Sequence, residues 1–141
     1  MNSRSILVAA AVGVLSGCGD SAITAARIQA ALETTFANLA ELQVVRLKLP
    51  PMPAPEFAVT AICRNLLTGK DAGSGEWTCA LLWQGPNREP LRDIYELFVR
   101  TDGCYTATVS GESLGGPTIN APDGTFVKNL LYKFEGCFDT M

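Results

Sequence analysis

Phe57-Ala-Val-Thr-Ala-Ile-Cys63 and Trp77-Thr-Cys-Ala-Leu-Leu-Trp83 are the two stretches of sequence that decide the fold. In each stretch apolar side chains occupy every second position, a period that is typical of a β-strand with one buried face. The residues between them, from Thr68 to Gly75, are polar and glycine-rich, which predicts a connecting loop. The two stretches therefore predict an antiparallel hairpin.

One register of this hairpin places both apolar faces on the same side. In that register Cys63 lies opposite Cys79, close enough for a disulfide between neighbouring strands. The other apolar pairs that it brings together are Val59 with Trp83 and Ala61 with Leu81. The hairpin therefore predicts a disulfide that crosses its two strands.

The cysteine count supports a second disulfide. The chain has five cysteines and no histidine, and Cys104 and Cys137 remain once Cys18 is set aside as a lipid site. Four cysteines allow three pairings, of which the hairpin favours Cys63–Cys79 with Cys104–Cys137. Zinc is the rival interpretation, but no cysteine pair has Cys-x-x-Cys spacing and histidine is absent. We therefore predict two disulfides, no metal site and no cofactor.

A helix is predicted before the hairpin, over residues 21–43. Its apolar stripe is formed by Ile28, Leu32, Phe36 and Leu39. Asp20 or Ser21 is expected to cap its N-terminus. The polar face is not enriched in lysine or arginine, so we expect the stripe to pack on the sheet and not on a membrane or a partner.

The remaining elements complete an α+β fold. Residues 49–55 are rich in proline and form a connector between the helix and the sheet. Asp102-Gly103 is a hairpin turn, and Gly111–Gly124 is a long surface loop. The predicted strands lie near 57–64, 76–84, 91–100, 104–110 and 126–134. We predict one N-terminal helix packed on an antiparallel sheet of four to five strands.

Residues 1–17 have the organisation of a signal peptide. Arg4 supplies a positive charge, and the ten residues from Ile6 to Leu15 are apolar. Ten helical residues span about 15 Å, half of a bilayer core of about 30 Å, so a membrane span is not expected. The segment therefore predicts export.

Leu15-Ser16-Gly17-Cys18 resembles the lipobox of bacterial lipoproteins. In that family a diacylglyceryl group is attached to the cysteine thiol, and a signal peptidase cuts just before the cysteine. The resemblance implies a single exported domain, residues 18–141, anchored by acyl chains such as palmitate to the extracytoplasmic face of the cell membrane. An ordinary secretory signal with a coincidental cysteine is the alternative.

Two further resemblances concern the mature domain. Residues 23–110 are similar to small domains of unknown function in actinobacterial lipoproteins, through Val59-Thr-Ala-Ile-Cys63 and Trp77-Thr-Cys79-Ala. This likeness implies location and architecture and no activity. The chain also resembles subtilisin-inhibitor-like proteins, which are small, exported and built with two sequential disulfides. The long helix before the first cysteine departs from that pattern.

The chain offers no predicted catalytic residue. Without histidine it has no Ser–His or Cys–His pair, so the Gly-x-Ser-x-Gly match at Gly111–Gly115 is expected to be a loop. Asp93 and Glu96 are expected to point in opposite directions on one strand, and with Arg92 and Arg100 to lie on a solvated face. A net charge of −3 argues against a nucleic-acid partner.

These observations predict a non-enzymatic, lipid-anchored envelope domain that binds a protein or supports an envelope complex. One alternative is an exported inhibitor of a protease or another hydrolase, for which Gly111–Gly124 is the candidate loop. Another is a small-molecule or lipid-binding module, which requires an apolar pocket between helix and sheet. The aromatic residues expected in the core or along such a groove are Trp77, Trp83, Tyr95, Tyr105 and Tyr132.

Overall fold

One α-helix packs on one face of a five-stranded antiparallel sheet, as predicted. The computed structural model describes residues 22–140, so the predicted signal peptide and Cys18 lie outside the described residues. The strand order in the sheet is β1-β2-β3-β4-β7, and β5 and β6 form a separate two-stranded sheet. The elements are α1 (Ala25–Arg46), β1 (Thr60–Asn65), β2 (Gly75–Gln84), β3 (Pro90–Val99), β4 (Cys104–Ser110), β5 (Thr118–Asn120), β6 (Phe126–Lys128) and β7 (Lys133–Cys137).

The helix begins four residues later than predicted. Thr24 is its N-cap, and the Thr24 hydroxyl oxygen accepts a hydrogen bond from the backbone N–H of Arg27 at 3.3 Å. The prediction that Asp20 or Ser21 caps the helix is therefore wrong. Tertiary structure fixes the start, because Thr24 forms a β-bridge with Ala72 in the loop between β1 and β2.

The predicted hairpin register is confirmed within the ladder. Cys63 lies opposite Cys79. The strand does not begin at Phe57, however, because the proline-rich connector ends in a 3₁₀ turn, Ala54–Phe57, and β1 starts only at Thr60. Val59 therefore lies outside the ladder, and its predicted pairing with Trp83 is wrong.

Both predicted disulfides are present, and they lie on opposite faces of the sheet. Cys63 and Cys79 are buried beneath α1, with 2% and 0% of their surface exposed. Cys104 and Cys137 join β4 to β7 on the other face. That second face is called the outer face below.

The predicted strand over 126–134 is wrong, because the segment is divided between two strands. Residues 126–128 form β6, which pairs with β5, whereas β7 begins at Lys133 and pairs with β4. Asn129 separates them. It is 2% exposed, and its side-chain N–H₂ donates hydrogen bonds to the carbonyl oxygens of Leu114 and Gly116 at 2.7 and 3.0 Å. A buried turn therefore stands where the sequence pattern predicts a continuous strand.

The core lies between α1 and the inner face of the sheet. Ile28, Leu32 and Phe36, three members of the predicted stripe, have no exposed surface. The Phe36 ring packs edge-on against the rings of Trp83 and Tyr95, with centroids 5.0 and 5.9 Å apart. The part of the helix–sheet interface around Ile28, Leu32 and Phe36 is therefore filled by side chains.

Candidate binding surfaces

Asp93 is a structural carboxylate in the core. The prediction that it lies on a solvated face is wrong, since it is only 3% exposed, whereas Glu96 points to the opposite, outer face as expected. Its Oδ2 accepts a hydrogen bond from the Trp83 indole N–H at 2.7 Å, and its Oδ1 accepts one from the Ser113 hydroxyl. These bonds satisfy a polar group that would be costly to bury alone.

The Gly-x-Ser-x-Gly segment is a loop, as predicted. It contains a turn in which the Gly115 N–H donates to the Glu112 carbonyl at 3.0 Å. Ser113 anchors the loop to Asp93 on β3.

Within residues 22–140 there is no group of three or more His, Cys, Asp or Glu side chains arranged to hold a metal ion. No helix in that range has the length and apolar character needed to cross a bilayer.

Two buried tyrosines are structural members of the sheet. Burial, and to a smaller extent the neighbouring Asp93, raises the pKa of Tyr95 well above its usual range, and its hydroxyl donates to the Leu131 carbonyl at 2.5 Å. Burial also raises the pKa of Tyr105, whose hydroxyl donates to Thr35 Oγ1 at 3.2 Å. Both phenols therefore connect the sheet to adjacent segments through their hydroxyl groups.

The outer face of the sheet carries an apolar patch across β1, β2 and β3. Ile62 is 60% exposed and Leu82 is 45% exposed. Ile62 lies opposite Ala80, and Ala80 lies opposite Ile94 on the next strand. Ala80 and Ile94 are both half-buried. These four residues are called the outer-face patch. Sequence reasoning overlooked them, although apolar residues at positions that should face water are themselves a signal.

A row of charged side chains borders the outer-face patch. Arg64, Glu96 and Lys133 are exposed and lie in one register row across the sheet, separated by threonines on β2 and β4. Charges of alternating sign beside an apolar patch resemble the polar rim of a protein–protein interface. These charges can therefore fix the orientation of a partner whose binding the apolar residues stabilise.

The exposed edge of β1 is closed by side chains of α1. Glu33 Oε1 accepts a hydrogen bond from the Ala61 N–H at 2.8 Å, and Gln29 Oε1 accepts one from the Cys63 N–H at 3.0 Å. An added strand would need these backbone N–H groups. A partner strand could therefore pair with this edge only by displacing these two hydrogen bonds.

An apolar cavity of about 150 Å³ opens at the C-terminal end of the helix–sheet interface. Gln43, which is 4% exposed, lines it and accepts a hydrogen bond from the Leu130 N–H through Oε1 at 3.0 Å. The Gln43 Nε2 atom is buried with no hydrogen-bond partner among the described residues. The cavity is lined by Ala40, Gln43, Val44, Leu47, Phe57, Trp83, Pro86, Leu114, Ile119, Asn129 and Leu131.

The loop Gly111–Gly124, the predicted inhibitory segment, is held at several points. Its middle forms β5, which pairs with β6. Near its end, Lys48 Nζ lies 2.5 Å from Asp123 Oδ2, and this hydrogen bond holds the pKa of Asp123 below its usual range. The loop is therefore braced against the body of the domain, and an inhibitory role stays a prediction.

Comparison with protein-family models, with curated proteins and with solved structures finds no match to this chain.

Proposed function

We propose that the protein is a lipid-anchored, non-enzymatic domain of the cell envelope that binds a membrane-associated protein through the outer-face patch. The observation that carries the proposal is the exposure of Ile62 and Leu82, at 60% and 45%, on the face of the sheet that α1 does not cover. Contiguous apolar side chains in water are a common mark of an interaction site.

A protein is the occupant that best suits this surface. The patch lies on the face of a sheet, and the alternating charges of Arg64, Glu96 and Lys133 run beside it. Apolar contacts supply affinity, while a charged rim supplies register and specificity. The lipobox at Leu15–Cys18 supports a partner at the same membrane, because it implies that the domain is confined there.

Photo-crosslinking in cells tests this proposal with two matched positions. Leu82 on the outer face and Leu42 on α1 are both 45% exposed, so each can carry benzoylphenylalanine in the full-length protein. We expect the probe at Leu82 to capture one dominant envelope protein that the probe at Leu42 does not. Adding Ile62→Asp should lower that yield about tenfold or more, since a loss of about 1.4 kcal/mol already weakens binding tenfold. Equal capture at both positions would refute the outer-face assignment.

The cavity beside Gln43 favours a second candidate function, the binding of a small apolar molecule. About 150 Å³ accommodates one aromatic ring, whereas most cofactor sites measure about 300–1,000 Å³. The lining of the cavity is almost wholly apolar, so an apolar ligand suits it. A single apolar ring is therefore the ligand class that fits.

Benzene, a single apolar ring, is a suitable probe of the cavity. We expect saturable NMR shifts of the Leu114 and Ile119 methyl groups in the intact protein. Ala40→Leu should abolish them by filling the cavity, because Ala40 lines it and is 2% exposed. Ala30→Leu, on the exposed side of the same helix, is the control. Shifts that persist in Ala40→Leu would exclude binding at this cavity.

A further inference from the structure

The N-terminal end of α1 and the loop between β1 and β2 form one end of the domain. The Gly73 N–H donates to the Ile23 carbonyl at 2.9 Å, and the Ala25 N–H donates to the Asp71 carbonyl at 2.8 Å. Cys18 precedes Ala22 by four residues, and four extended residues reach at most about 14 Å. A lipid on Cys18 would therefore hold this end, called the anchor end, close to the bilayer.

Three large apolar side chains that are exposed within residues 22–140 lie at the anchor end. Leu66, Leu67 and Phe98 are 59%, 76% and 56% exposed. Leu66 continues the β1–β2 ladder, with its N–H donating to the Glu76 carbonyl at 3.0 Å, and Glu76 lies opposite Phe98 on β3. Leu66 and Phe98 border the same shallow hollow on the outer face.

Asn65 fixes the conformation of the loop that carries Leu67. It is 2% exposed, and its Oδ1 accepts hydrogen bonds from the N–H groups of Leu67 and Thr68 at 3.0 and 3.2 Å. Its Nδ2 donates to the Ser74 carbonyl at 3.3 Å, on the returning side of the loop. The two leucines are therefore presented on a braced turn.

We propose that Leu66, Leu67 and Phe98 insert into the interfacial layer of the bilayer that holds the Cys18 lipid. The inference rests on the proposed lipid anchoring and adds an orientation to it, with the anchor end down and the strands rising from the membrane. Apolar side chains gain free energy when they leave water. Lys70 and Asp71 are the only charged residues in the loop from Leu66 to Ser74, and their charges cancel. The loop therefore carries no net charge into the interfacial layer.

Tryptophan fluorescence tests this insertion into the bilayer, called the seating below, at two matched positions. Leu67 at the anchor end and Phe126 on β6 are 76% and 77% exposed, so Leu67→Trp and Phe126→Trp should both fold. The native Trp77 and Trp83 are 0% and 6% exposed and give a constant background. The lipidated protein, residues 18–141, is placed in phosphatidylcholine–phosphatidylglycerol vesicles with brominated acyl chains. We expect strong quenching at position 67 and little at position 126.

Co-sedimentation with the vesicles separates the two ways in which the seating proposal can fail. If the protein sediments and position 67 is quenched no more than position 126, the seating is refuted and the lipid anchor stands. If the protein with intact Cys18 does not sediment, both proposals are refuted. If the tryptophan at position 67 becomes shielded from water only after an envelope extract is added, this end binds a protein partner. That result would refute its contact with lipid.

Discussion

Cys18→Ala is expected to abolish lipid anchoring. The protein should either leave the membrane fraction or accumulate as a precursor that still contains residues 1–17. The physical reason is the loss of both acyl chains, since each buried methylene group contributes about 0.8 kcal/mol to membrane binding and one chain alone gives marginal attachment. Membrane fractionation with mass determination of the N-terminus measures both outcomes.

Ser16→Ala is the matched control for this experiment. It changes a neighbouring lipobox residue but keeps a small side chain, so it should leave processing and membrane attachment intact. Normal processing of Cys18→Ala together with full membrane retention would contradict the lipobox assignment. Such a result would favour an ordinary secretory signal.

Removing either disulfide is expected to lower the free energy of unfolding by several kcal/mol. The Cys63–Cys79 and Cys104–Cys137 bridges have sequence separations of 16 and 33 residues, for which chain entropy gives about 3 and about 4 kcal/mol. Replacing the buried first pair with alanine also leaves a void beneath α1, which adds to its cost. Urea denaturation of the two double variants measures both losses. For a small domain each is a large share of the total stability.

The two disulfides should also differ in their reactivity. Cys137 is exposed on the outer face, whereas Cys63 and Cys79 are buried beneath the helix. Mild reductant should therefore free the Cys104–Cys137 thiols in the folded protein, and the other pair only on unfolding. Labelling of any of these four cysteines without reductant would overturn the prediction that all are oxidised.

The hairpin and the Cys63–Cys79 disulfide were predictable because several signals agree there, and the Cys104–Cys137 pair then followed by elimination. Alternation with period two in both stretches fixes the faces, and the cysteines fall at matching positions on them. The start of α1 was not predictable in the same way. An alanine-rich helix has weak boundary signals, and here the bridge between Thr24 and Ala72 decides where it begins.

Asp93 and Asn129 show why the candidate surfaces were harder to predict. Asp93 lies two residues before Tyr95, in the core-facing phase of β3, but its charge suggested solvent. Only the fold brings the Trp83 indole and the Ser113 hydroxyl to its carboxylate. Asn129 likewise finds its partners in a distant loop. The exposure of the outer-face patch depends on which face of the sheet α1 covers. Tertiary packing determines that face, and the pattern along a single strand does not reveal it.

The closed edge of β1 would matter for copies of the protein that the proposed Cys18 lipid holds in one membrane. Confinement to two dimensions raises the encounter rate of identical domains, and open strand edges would let them join into a continuous sheet. Gln29 and Glu33 occupy the N–H groups that such polymerisation would use on this strand. Copies anchored as proposed would therefore be crowded together while this edge of each domain resists fibre growth.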